Sequence, residues 1–251
     1  MQPWSATIFL GISGGYEIST DRLKGRGNKS KKFEISFTCA RFSIEYYRMI
    51  NWGEMTMTYI PDEGERFSLT DFTGLKRKMW GINSYYFFNN RHYSQAAAYG
   101  FSKRQLRSVG SLLSGISASH CNFTVRNYYL PDYLKDEDDD FDEDDEDTAF
   151  DYTDISLNLG YGYNWAISRQ LLLNATGIIY SGVKYAHSKS MSDGGSTFWA
   201  LNGKFRLGFV YNYGNFFGGV HGYIDGHLFN TGPYRFRRYL YDVSLIAGLQ
   251  F

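Results

Sequence analysis

From residue 237 to the end of the chain, Tyr239, Tyr241, Val243, Leu245, Ala247, Leu249 and Phe251 share one parity, while Asp242, Ser244, Gly248 and Gln250 share the other. Arg237 on the apolar parity and Leu240 and Ile246 on the polar one break the order. In a β-strand successive side chains point to opposite faces, so this period of two predicts a strand with one apolar and one largely polar wall. Residues 155–165 repeat it, with Ile155, Leu157, Leu159, Tyr161, Tyr163 and Trp165 set against Ser156, Asn158, Gly160, Gly162 and Asn164. In 199–211, Leu201, Phe205, Leu207, Phe209 and Tyr211 face one way and Asn202, Lys204 and Arg206 the other. A Lys or Arg facing lipid at mid-bilayer costs about 2–4 kcal/mol, so the charged parity is predicted to line a lumen and the apolar parity to meet lipid.

Further strands are predicted over 5–19, 33–49, 54–60, 76–88, 93–102, 108–123, 171–185 and 216–229, which makes eleven. Within 33–49 the apolar phase switches between Cys39 and Phe42, which predicts a β-bulge. Bacterial single-chain barrels carry even strand numbers. The odd count predicts either ten strands, with the region 33–60 misdivided, or twelve, with a first strand upstream of Met1. With the C-terminus at the periplasm, 167–170 and 213–214 become short periplasmic turns. Residues 187–197, 230–236 and the acidic segment become external, and 62–75 falls on the periplasmic side as a long connection.

Composition supports this class. The chain has 251 residues with 22 Tyr and 20 Phe, yet hydrophobic residues reach only 43%. No apolar run approaches the roughly 18 residues of a transmembrane helix, whereas a barrel needs only alternating strands and aromatic girdles. Cys39 and Cys121 are too few for a disulfide framework and match no zinc or redox spacing, leaving at most one disulfide. The N-terminus has no basic segment ahead of its short apolar stretch, so it does not read as an export signal. An outer-membrane protein must be exported, which favours the twelve-strand reading.

Tyr85-Tyr86-Phe87-Phe88-Asn89, Tyr93-Ser94-Gln95-Ala96-Ala97, Ser102-Lys103-Arg104-Gln105 and Ser108-Val109-Gly110-Ser111 carry a family resemblance. The stretch resembles a Bacteroidetes-type outer-membrane β-barrel family known only as a domain of unknown function. Val109 stands where a small residue is expected of that family. The resemblance implies a barrel in the outer membrane and supplies no activity, substrate or catalytic residue.

Charge adds one feature. Between Asp136 and Asp147 every residue but Phe141 is acidic, eleven of twelve. Without that block fifteen acids face 26 bases, so the neutral chain is a sum of opposites. Such a run repels itself and is expected to be a solvated, disordered external loop. Two other readings stay open: a flap over a basic lumen, and a weak divalent-cation collector at Asp138, Asp140, Asp142 and Asp144. The run lacks the glycine and ligand spacing of an EF-hand.

Two further groups of residues are candidates for contact or chemistry. Arg235, Arg237 and Arg238 lie beside Tyr234, Tyr239 and Tyr241, and guanidinium forks there suit lipopolysaccharide phosphates. His221, Asp225 and His227 share the lumen parity of one strand, where a carboxylate that orients an imidazole could support a hydrolytic general base. A hydrogen-bonded lumen network explains the same three residues without catalysis. No nucleophile is selected among Ser13, Ser36 and Thr56, and His120 and His187 stand isolated. No cofactor motif, zinc spacing or nucleic-acid module is present.

These readings converge on one domain over 1–251, an all-β antiparallel transmembrane β-barrel of ten to twelve strands in a Gram-negative outer membrane. Its expected role is non-enzymatic: structural, a narrow pore, or ligand binding through external loops. A barrel hydrolase acting on outer-membrane lipid or peptide is the alternative, and a soluble β-sandwich or lipocalin-like binder is a third class. Glu17, Glu34, Lys204, Arg206, Asp225 and Asp242 are expected to fill the lumen.

Overall fold

Aromatic and β-branched residues at every second position suit a pleated surface and give a helix no single apolar stripe, so the chain runs almost wholly as strands. The computed structural model describes residues 9–18, 28–53, 55–59, 67–99, 104–126, 148–187, 197–230 and 235–249. In chain order these form β1 (Phe9–Ile18), β2 (Asn28–Thr38), β3 (Phe42–Gly53), β4 (Met55–Tyr59), β5 (Phe67–Phe72), β6 (Leu75–Phe87), α1 (Gln95–Tyr99) and β7 (Val109–Val125). There follow β8 (Thr148–Ala166), β9 (Leu171–Ala186), β10 (Thr197–Tyr213), β11 (Phe216–Asn230) and β12 (Arg235–Leu249). Ten strands make one sheet in the order β1-β2-β3-β6-β7-β8-β9-β10-β11-β12, and β4 and β5 pair separately. Every pairing is antiparallel. Since β3 leads into β4 and β5 into β6, the β4–β5 ribbon prolongs the β3–β6 hairpin past the sheet, with a register shift between Met55 and Met57.

The meander divides the connections between its two ends. The β2–β3, β6–β7, β8–β9 and β10–β11 connections lie at the end where β12 finishes, here the turn end. The acidic segment, the β4–β5 ribbon and the β1–β2, β9–β10 and β11–β12 connections lie at the other, the long-loop end. At the turn end Tyr213 pairs with Phe216, leaving Gly214 and Asn215 as a two-residue turn. Gly214 has φ 58°, a conformation that a side chain disfavours and that matches the twist of a tight hairpin.

Three expectations are corrected. The phase switch between Cys39 and Phe42 is a hairpin, not a bulge: Thr38 pairs with Ser43, and the segment 33–49 divides into β2 and β3. Residues 93–102 are not a strand, because Gln95 to Tyr99 form the short helix α1. Three consecutive alanines, the best helix formers, and no β-branched residue explain this. With these divisions the sheet has ten strands, and the long connection over 62–75 moves to the same end as the acidic segment.

The two faces of the sheet are of opposite character. On β8, Ile155, Leu157, Leu159, Tyr161, Tyr163 and Trp165 are exposed, whereas Ser156, Asn158 and Asn164 are at most 3% accessible. The same inversion holds on β10, where Trp199, Phe205, Leu207 and Phe209 face out and Asn202 and Asn212 are buried. On β12 Val243 and Leu245 are 77% and 81% exposed.

The sheet curls around the polar face. Tyr85 on β6 meets Tyr180 on β9, with hydroxyls 2.9 Å apart. Glu45 on β3 accepts both arms of the Arg206 guanidinium on β10, at 2.6 and 2.5 Å. Lys32 on β2 donates to the Tyr223 hydroxyl on β11 at 3.0 Å. Strands lie about 4.8 Å apart in a sheet, so β2 and β11, seven places apart in the sheet order, are about 34 Å apart along it. Only strong curvature lets one lysine and one tyrosine bridge them.

Candidate functional site

The concave face is a mixed interior, in which interlocked polar groups lie between apolar clusters around Met79 and Phe150, around Phe87 and Leu113, and around Leu172 and Val210. Near its middle, the bidentate Arg206–Glu45 pair is joined by Lys204, 3.9 Å from the same carboxylate. The Arg206 guanidinium also lies over the rings of Tyr85 and Tyr99 at 5.9 and 5.8 Å. Toward the long-loop end Lys184 pairs with Asp154, both nearly inaccessible, and Ser156 and Asn202 donate to that carboxylate. Asn158 donates to Ser117, which donates to Asn83. Alternation in the sequence places every one of these polar groups inward, and in a dry interior each needs the partners it has.

At the turn end, residues 93–99 of the β6–β7 connection fold back against the concave face and form a seal over its inner surface there. Ala96, Ala97 and Ala98 of α1 are buried, the last two against Leu172 and Val210. Asn174 organises the contact: it accepts from the Tyr99 hydroxyl at 2.6 Å and from Thr176 at 3.0 Å, and donates to Asn164 at 2.6 Å. Asn164 in turn donates to the Ser94 carbonyl at 2.9 Å, and Tyr93 donates to Gln95. A side chain at Gly162 would collide with the Tyr93 hydroxyl, so glycine there makes the seat for the ring. Burial pushes the Tyr93 and Tyr99 phenols above their ordinary value, which keeps both hydroxyls neutral donors at neutral pH.

Of the predicted site residues, Asp225 and His227 meet, with His227 Nε2 3.1 Å from Asp225 Oδ1. They line a polar cavity of about 30 Å³, room for a water or two, shared with Tyr47, Lys204, Ser119 and Asp154. His221 lies four residues from Asp225, about 13 Å along the strand, with its ring 5.0 Å from that of Tyr99 beside the seal. The three therefore form a pair and a separate residue. Lys204, Arg206 and Asp225 do face the interior as expected, and so does Glu34, which pairs with Lys32 at 2.6 Å. Asp138, Asp140, Asp142 and Asp144 fall outside the described residues, as do the side chains of Arg235, Arg237, Arg238, Glu17, Asp242, Ser13 and Thr56. Cys39 and Cys121 are free thiols, one in the β2–β3 turn and one buried near the far end of β7.

Sequence reading missed the seal, whose buried glutamine and alanines imitate a weak strand, and missed partners that only sheet register brings together. His120 and His187, isolated in sequence, lie 5.9 Å apart as ring centroids on the convex face, with Asp151 beside them.

A family profile described as "Domain of unknown function (DUF4421)" matches residues 7–251. No curated protein and no solved structure matches the chain.

Proposed function

The chain belongs to the family of that domain, and from this premise we propose that it is an integral β-barrel protein of a Gram-negative outer membrane with a non-enzymatic role. One observation carries the reading: a continuous band of large apolar side chains is exposed on the outside of the curl, while the inside holds hydrogen-bonded polar groups and ion pairs among smaller apolar clusters. A water-soluble sandwich or lipocalin buries its apolar faces, whereas a membrane barrel turns them to lipid. The dimension also suits a bilayer. From Ile155 to Trp165 the outward apolar run covers ten residue steps, about 33 Å, and at a tilt of about 40° it spans about 25 Å of membrane.

Closure of the ten strands into a ring is supported by the contacts across the interior. β6 meets β9, β3 meets β10 and β2 meets β11, a nested series whose next members are the two sheet edges, β1 and β12. An unpaired edge is costly in lipid, so pairing of β1 with β12 follows from the same reading. The seal and the inner ion pairs then make the lumen a filled one. Connections of two to four residues in three of the four hairpins at the turn end, against mostly longer ones opposite, support a C-terminus in the periplasm and an external acidic segment.

The outward face near the long-loop end carries Lys31, Arg48, Lys76 and Lys78 among Trp52 and Trp80. A basic and aromatic rim suits anionic headgroups of outer-membrane lipid, and Arg235 and Arg237, at the start of β12 on the parity of the exposed Tyr241 and Val243, extend the same chemistry toward lipopolysaccharide phosphates, whereas Arg238 stands in register with the inward His227. A planar-bilayer recording tests the filled lumen: the intact protein conducts little or nothing, and a stable, open channel of porin size would contradict the reading. The hydrolase alternative rests on the Asp225–His227 contact alone. Two of the hydroxyls lining that cavity are committed elsewhere, Ser117 to Asn83 and Ser156 to Asp154. That alternative fails if a measured lipid- or peptide-hydrolysing activity is unchanged in His227→Ala and Asp225→Ala.

A further inference from the structure

Three neighbouring strands bring His120, Asp151 and His187 together on the convex face at the long-loop end. The register is specific. Asn122 of β7 stands opposite Asp151 of β8, and the His187 amide, just past β9, donates to the Asp151 carbonyl at 2.8 Å. His120 is then the diagonal neighbour of Asp151 on the same face, within reach of a long side chain. One ligand atom from each of the three lies within 4.8 Å of the other two. His120 Nε2 and Asp151 Oδ1 are 3.5 Å apart, close to the roughly 3.3 Å edge of a tetrahedron with metal–ligand bonds of about 2.0–2.1 Å.

The surroundings orient these groups. Thr153 Oγ1 is 3.3 Å from His120 Nδ1 and 2.9 Å from His187 Nε2, and Asn122 donates to Asp151 Oδ2 at 3.3 Å. Hydrogen bonds of this kind fix ring and carboxylate orientation around a metal. The Trp80 ring is 6.0 Å from His120 and the Tyr185 ring 5.0 Å from His187. His187 is exposed and the other two are partly so, which leaves an ion a path in and a position open to solvent. The site lies past Ile155, just beyond the apolar band.

We propose that His120, Asp151 and His187 form a binding site for a first-row transition-metal dication of the zinc or copper(II) class. Two imidazoles and one carboxylate suit those ions, whereas calcium and magnesium take oxygen ligands. The donor set thereby differs from that of the acidic segment, and the site depends only on the register of β7 to β9.

The test uses the full chain refolded in detergent micelles, with Cu²⁺ and Zn²⁺ alone as probes. Electron paramagnetic resonance of the copper-loaded wild type is expected to show one tightly bound equivalent with hyperfine structure from two nitrogens, and a Zn²⁺-loaded sample is expected to release its zinc to Cu²⁺. His120→Ala and His187→Ala each remove a nitrogen and the tight site, and Asn122→Ala weakens Zn²⁺ binding about tenfold. Unchanged heat-dependent gel migration checks that each variant folds. A copper signal with oxygen ligation only, nitrogen hyperfine that persists in both histidine variants, or no bound equivalent at micromolar protein overturns the assignment. The wild-type spectrum is decisive even if a variant misfolds.

Discussion

At the scale of single residues, parity decides the environment. Asp154 and Lys184 are buried together on the concave face, each supplying the charge the other needs. Removing one partner of a buried pair leaves an uncompensated charge, at a cost of about 3–5 kcal/mol. Asp154→Ala is therefore expected to lower the stability of the refolded protein by that amount in urea titrations, and Asp154→Asn by less, because an amide keeps part of the hydrogen bonding. A change below about 0.5 kcal/mol for Asp154→Ala, the ordinary range for surface sites, would place the pair in water instead. The inward position of Lys204, Arg206 and Asp225 was legible because strand geometry leaves only two directions. The His120, Asp151 and His187 cluster was not: its members are 31 and 36 residues apart, and only the pairing of β7, β8 and β9 aligns them.

At the scale of elements, strands with clean alternation were legible, and so was the short β4 within 54–60, whereas the division of β2 from β3 and the strand β5 were not. β8, β10 and β12 alternate over enough residues for the period to dominate, whereas β2 and β3 are joined by a turn so short that they read as one strand with a fault. The phase switch was a true signal of that turn, misassigned to a bulge. α1 escaped because its residues are inward-facing and small, with too little hydrophobic contrast to show any period. Its role can be separated from that of the middle layer. Replacing 93–105 by a short Gly-Ser turn leaves the Arg206–Glu45 and Tyr85–Tyr180 contacts in place, and conductance in planar bilayers is expected to stay low. Glu45→Ala with Arg206→Ala leaves the seal in place and is likewise expected to conduct little. The combined variant is expected to open a channel. High conductance after removal of α1 alone would show that the middle layer does not block the interior.

At the scale of the whole molecule, the proposed membrane barrel rests on the outward apolar band meeting lipid. Leu159 lies near the centre of the outward band and Val183, paired with Ile155, at its edge. On a lipid face, arginine costs about 2–4 kcal/mol at the midplane and about 0–1 kcal/mol near the interface. Leu159→Arg is thus expected to destabilise the protein in bilayers by about 2 kcal/mol or more beyond Val183→Arg, by urea titration in vesicles; equal effects would remove the depth dependence. The most direct test is gel migration of unboiled and boiled protein, refolded in detergent micelles and, separately, in plain buffer. A lipid-facing barrel gives a compact, fast-migrating form only with detergent, lost on boiling. A folded, monodisperse protein in plain buffer with no heat-dependent shift would contradict it, because Leu157, Leu159 and Leu245 would then be facing water.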